Sequence, residues 1–192
     1  MKFMSIFIFI ISFNLLGLEI GEKTWYKAKR KFPIKRGNSI FEVAEFKDDK
    51  VRGKIDYNVQ FKVGFATYTK KGPENKWVPK KQFEHAYYEK IKNEGVVEEE
   101  DFIATFIGIE DVDTHMGRFY GCYKIKIVGK DKVFSRIIPW VNNNKEYKWE
   151  GFVWYHPDIT ANHWAKIDGK IKDVEIVGDI QVIALLENYF PR

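Results

Sequence analysis

YNVQFKVGF, residues 57–65, decides the fold class: Tyr57, Val59, Phe61, Val63 and Phe65 alternate with Asn58, Gln60 and Lys62. Apolar side chains at every second position put one face of an extended chain on a core and leave the other in water. The same grammar continues on both sides. SIFEVAEF (39–46) runs into the turn-like KDDK (47–50) and then VRGKIDY (51–57), while Lys70, Lys71, Gly72 and Pro73 end the pattern downstream in a loop.

One segment breaks the period of two. In PKKQFEHAYYEKIKNEG (79–95), Phe83, Ala86, Tyr87 and Ile91 fall three and four apart and predict an amphipathic helix over 79–94. Pro79 suits its first turn and Gly95 its C-terminal cap. His85 lies beside the apolar stripe and reads as a surface residue.

The rest is strands and turns. The acidic run Glu98–Asp101 leads into FIATFIGI (102–109), a buried strand, and IEDVDTHMG (109–117) reads as a loop. GRFYGCYKIKIV (117–128) and KVFSRIIPWV (132–141) flank Gly129-Lys130-Asp131, which predicts a hairpin turn. Pro139 confines the second of these to an edge or ends it there. After the loop Asn142–Asn144, YKWEGFVWY (147–155) is a strand and HPDITANH (156–163) a loop. Turns follow at Asp168-Gly169 and Gly178-Asp179. The sum is about nine or ten short strands and one helix, a mainly β chain of the antiparallel sandwich or barrel type.

An aromatic share of 17% supplies large bodies for such a core. The net charge of +5 is mild, which argues against nucleic acid as a partner. Much of the excess sits at Lys27, Lys29, Arg30, Lys31, Lys35 and Arg36. This 27–36 segment is the one expected to touch an anionic membrane surface peripherally. Cys122 is the single cysteine, so no disulfide can form within the chain.

Residues 1–17 set the expected address. Lys2 precedes an apolar run from Phe3 to Leu18 that is broken only by Ser5, Ser12, Asn14 and Gly17. That is the layout of a secretory signal peptide, cleaved after Gly17 or kept as an anchor. Residues 18–192 then form a single mainly β domain in the periplasm or outside the cell. The segment TWYKA (24–28) resembles the opening of lipocalins, with Gly21 four residues before Trp25 where that family has two. The later lipocalin motifs are absent, and no lipocalin function is carried over.

The unusual chemistry is concentrated between Trp140 and Trp164, which holds four of the six tryptophans and two of the four histidines. Trp149, Trp154, Tyr155, His156, Asp158, His163 and Trp164 are the candidate binding residues. The odd offset between Trp149 and Trp154 places them on opposite faces of a strand, so one of them should lie outside the core unless both faces are covered. An aromatic surface or cavity of this kind suits a small apolar or glycan ligand, or an envelope protein partner. His156, Asp158 and His163 give an alternative, a small secreted hydrolase with or without a metal. Glu110, Asp111, Asp113 and His115 offer donors but lack the spacing of a calcium loop. No catalytic signature, metal-ligand motif or cofactor fingerprint is present. The reading is therefore an exported envelope β-domain that binds or assembles without catalysis.

Overall fold

The computed structural model describes residues 19–29, 33–131, 145–159 and 161–190. The leader at 1–17, the strand expected over 132–141 with Pro139 and Trp140, and the Asn142–Asn144 loop lie outside the described residues.

Eleven strands form one antiparallel sheet. In chain order they are β1 (Lys23–Ala28), β2 (Ile34–Lys47), β3 (Lys50–Val63), β4 (Ala66–Lys71) and β5 (Glu74–Pro79), followed by β6 (Val96–Glu98) and β7 (Phe102–Thr114). The last four are β8 (Gly117–Asp131), β9 (Tyr147–Tyr155), β10 (Trp164–Val174) and β11 (Gly178–Phe190). A 3₁₀ turn (Lys80–Phe83) and the helix α1 (His85–Glu94) join β5 to β6. The sheet runs β4-β3-β2-β1-β11-β10-β9-β8-β7-β6, with β5 pairing β3 beside β4. It is mainly β, as the alternation predicts, but the two end strands do not pair with each other and the sheet stays open.

The register of the deciding stretch holds through Val63. Tyr57 and Phe61 are buried, and the chain then turns through Gly64 at a φ of +57°, a left-handed conformation that glycine adopts without strain. Phe65 therefore sits at the hairpin tip, fully exposed, and not on the apolar face.

The helix is shorter than its periodicity suggests. Glu84 is extended (φ −97°, ψ 137°) and separates the 3₁₀ turn from α1. This break rotates the buried face onto Tyr87, Tyr88 and Ile91 and leaves Ala86 exposed. Gly95 caps the end at a φ of +77°, donating its N–H to the Ile91 carbonyl at 2.9 Å.

Two expected turns are strand. Gly129–Asp131 continues β8, because the partner across the ladder is β9, paired from Tyr123↔Tyr155 through Asp131↔Tyr147. Asp168-Gly169 lies inside β10, and the turn comes later, at 175–177. Gly169 is paired with Gly151 of β9, and the Trp149 ring lies over it where a side chain would otherwise stand. Glycine here answers a demand for close approach, not for a turn. The acidic segment Glu110–Asp113 is also strand, within β7. Its charges face Arg118 and Lys124 of β8: Lys124 Nζ to Glu110 Oε1 is 2.8 Å and Arg118 Nη2 to Asp111 Oδ2 is 3.3 Å.

The core has connected parts. Tyr87, Tyr88 and Ile91 of α1 pack on Val97, Ala104, Ile125, Val153 and Tyr155. Phe83 from the 3₁₀ turn packs on Val43 and Val51 of the opposite sheet arm. The connection between β5 and β6 thus bridges the gap that the open sheet leaves.

Replacing Gly151 by Val is expected to destabilise the chain by about 1–3 kcal/mol, because its Cβ would meet Gly169 Cα at 2.4 Å and the Asp168 carbonyl at 2.7 Å. Urea unfolding checks this: an unchanged midpoint would contradict the close pairing of β9 and β10.

Candidate functional site

The loop 156–163 is not a surface feature over most of its length. Ile159, Ala161, Asn162 and His163 are buried, Pro157 and Asp158 are exposed, and His156, at the start of the loop, is half-buried. Ala161 and His163 both take positive φ, at 61° and 59°. A polar segment inside a fold needs partners for its polar groups. Here β1 and Glu22 just before it supply several of them. Thr24 Oγ1 donates to Asn162 Oδ1 at 3.2 Å. The Tyr26 hydroxyl reaches Asn162 Oδ1 and, at 2.8 Å, the Trp164 carbonyl. Glu22 accepts the Ala161 N–H at 3.4 Å. Thr24 and Tyr26 share one face of β1, and Glu22, just before the strand, continues their alternation, so the period-two rule that builds the sheet also builds this polar line.

The histidines of the loop diverge. The His163 Nε2–H donates to the Phe83 carbonyl at 2.9 Å, tying the loop to the 3₁₀ turn. His156 turns to the β7–β8 side: its Nε2–H donates to the Tyr120 carbonyl at 3.1 Å and its Nδ1 accepts the Asp158 N–H at 3.2 Å. One backbone bond, from the His156 N–H to the His163 carbonyl at 2.8 Å, closes the loop neck. The geometry does not bring the two imidazoles to one point. Among the described residues, no group of three or more His, Cys, Asp or Glu side chains is placed to hold a metal ion.

The aromatics of the segment are shared between packing and hydrogen bonds. Tyr155 is fully buried and stacks on Tyr88 at 3.8 Å, with its hydroxyl 2.6 Å from His85 Nδ1. Trp164 donates its indole N–H to the Tyr88 hydroxyl at 3.1 Å. Trp154 donates to Glu110 Oε2 at 3.0 Å, and the Lys166 and Lys124 ammonium groups lie 4.1 and 5.2 Å from its ring centre. Lys124 and the indole together hold the Glu110 carboxyl below its usual range. The parity argument is correct, with Trp149 and Trp154 on opposite faces of β9, but both faces are covered. The far end of the β7–β8 hairpin bends back until the His115 N–H reaches the Leu186 carbonyl at 3.3 Å, and Val112 and Cys122 pack with Trp154. Trp149 is half-buried over Gly169. Of the seven candidate residues, Trp154, Tyr155 and His163 are enclosed, Trp149, His156 and Trp164 are half-buried, and Asp158 is exposed.

The tryptophan that the local density of aromatics passes over is Trp77 on β5, the one exposed tryptophan among the described residues. It lines a cleft of about 620 Å³ between the β2–β3 turn, the 3₁₀ turn and the β6–β7 turn. The alternation of ENKWVP, with Asn75 and Trp77 outward, carries that signal.

Burial shifts the acidity of Glu22, His163 and Cys122. Burial raises the Glu22 carboxyl from 4.5 to about 7, against the lowering effect of its backbone hydrogen bonds. Burial also holds the His163 imidazole below its ordinary 6.5. Cys122, fully buried, has its thiol pushed up to about 11 for the same reason.

No protein-family model matches the chain, and no curated protein matches it. Among solved structures, the fold is similar to a candidate exported protein with a YmcC-like fold from Bacteroides fragilis. That likeness has a TM-score of 0.43 and 12% identity, over 91% of this chain and 98% of the other. No helix among the described residues is long and apolar enough to cross a membrane.

Asn162→Ala is expected to cost about 1–3 kcal/mol, since it strands the Thr24 hydroxyl and one acceptor of Tyr26 in the interior. Chemical denaturation would show it, and a loss within error would mean that the loop is not held by this side chain. The acidity of Glu22 gives a second expectation. A carboxyl raised in the folded state penalises folding wherever the unfolded chain would ionise it. Stability should therefore fall as pH rises from 4.5 through about 7. Glu22→Gln should remove that decline in denaturation midpoints measured between pH 5 and 8, and an identical slope in both proteins would refute it.

Proposed function

We propose that the chain is an exported β-domain of the cell envelope that acts by binding or assembly and not by catalysis. The observation that carries this reading is the distribution of apolar surface. The aromatic-rich segment is folded inward, while Ile103, Ile107 and Ile109 of β7, with Val128 opposite Ile103 on β8, are exposed. Beyond Phe106 the outer edge of β7 has no described strand beside it, since β6 pairs only through Val96↔Thr105 to Glu98↔Ile103. An open edge carrying isoleucines suits an envelope protein partner. The apolar run at 1–17 supports export, and Lys29, Lys35 and Arg36, all exposed, support peripheral contact with an anionic membrane. The hydrolase reading has no comparable support, because His156 and His163 spend their donors on carbonyls of separate elements.

Two measurements test the proposal. Fractionation of cells producing the full chain should recover it outside the cytoplasm, and retention inside would refute the address. A photo-crosslinker at position 107 should capture an envelope partner that the additional changes Ile103→Asp/Ile109→Asp lose while keeping the wild-type circular dichroism spectrum. Unchanged capture in that variant would move the interface elsewhere.

A further inference from the structure

We infer that the cleft beside Trp77 is an oligosaccharide-binding site, with a sugar ring stacked on the indole. The inference rests on the binding reading above, and it adds a place and a ligand class.

The cleft exists because the sheet is open. One lip is the β2–β3 turn with β5, the other is the β6–β7 turn, and the 3₁₀ turn floors it. The Lys80 N–H donates to the Asp49 carbonyl at 2.6 Å, and Lys81 Nζ lies 2.8 Å from Glu99 Oε2, so floor and both lips are tied together. Its volume of about 620 Å³ falls within the range of small-ligand sites. Trp77 stands in the wall at 41% exposure, so part of its apolar surface remains open to a ligand.

The lining chemistry narrows the occupant. Asp49, Glu84, Glu99, Glu100 and Asp101 contribute five carboxylates. A polyanion such as nucleic acid or a sulfated chain is repelled by them. Lys50, Lys80 and Lys81 stand among them and oppose a polycation. A purely apolar ligand would strip water from these charges without replacing its hydrogen bonds. A pyranose ring meets both demands. Its C–H face packs on the indole, and its hydroxyl rim gives and accepts hydrogen bonds among carboxylates, ammonium groups and the Gln82 amide.

The test is titration of the purified chain with four neutral tetrasaccharides: β-1,4-linked glucose, β-1,4-linked N-acetylglucosamine, α-1,4-linked glucose and α-1,6-linked mannose. Tryptophan emission and calorimetry read the binding. At least one sugar should bind and change the emission. Trp77→Ala should weaken that sugar by about ten-fold or more, whereas Trp77→Phe keeps a ring and most of the affinity. Glu100→Gln/Asp101→Asn should weaken it too, with the circular dichroism spectrum unchanged in all variants. Silence of all four sugars at millimolar concentration overturns the inference. So does binding that Trp77→Ala leaves intact, or Trp77-dependent binding of oligolysine in place of a sugar. Each of these leaves the export reading standing, and a chain found in the cytoplasm that still binds sugar at Trp77 overturns the address alone.

Discussion

Asn162 carries the constraint on which the rest of the structure depends. A loop of eight residues, three of them polar or ionisable and buried or half-buried, has been taken out of water. Its desolvation is tolerable only because Thr24, Tyr26 and Glu22 meet it with hydrogen bonds from more than 130 residues away in sequence. β1 is therefore more than a member of the sheet. It lies between β11 and β2, inside the strand order, and presents its polar line to the loop while Lys23↔Phe190 and Lys23↔Glu42 fix its register. A slip of one residue would turn Glu22, Thr24 and Tyr26 away together.

Once the loop is inside, the fate of the aromatics follows. His163 reaches the Phe83 carbonyl and so positions the 3₁₀ turn, and the turn positions α1. The helix then brings Tyr88 against Tyr155 and Trp164. Each hydroxyl and indole in that group has a partner within the group or on its rim, the condition for keeping such side chains indoors. The density of aromatic and imidazole groups in 147–164 marks the place where the interior is most polar. It is not by itself a mark of a ligand.

The sheet was legible in the sequence because alternation is local. Tyr57 to Val63, the KDDK turn and the Gly95 cap all sit where short-range rules place them. What stayed hidden depends on neighbours distant in sequence. Asp168-Gly169 has the composition of a turn, yet Gly151 and the Trp149 ring require a glycine in the middle of a strand. Glu110 and Asp111 look like a solvated loop until Lys124 and Arg118 of the next strand are seen beside them. For the candidate site, parity alone could separate Trp149 from Trp154. It could not show that the β7–β8 hairpin folds back over the second face. Trp77 was equally visible as an outward residue of a short strand, but local counting favours clusters and passes over a single exposed ring.

Openness of the sheet is the feature that connects stability to function. A closed barrel would satisfy every strand edge but would need no helix between β5 and β6 and would leave no seam. Here the 3₁₀ turn and α1 bridge that gap by packing Phe83 on one arm and Tyr87, Tyr88 and Ile91 on the other. The bridge covers the apolar interior and stops at a rim of charged residues, among them Asp49, Lys80, Lys81 and Glu99. Surface chemistry therefore collects where the scaffold has incomplete pairing: the cleft at Trp77 lies at the seam, and the exposed Ile107 and Ile109 lie on the part of β7 that has no described strand at its outer edge. Both features arise where the pairing of described strands stops.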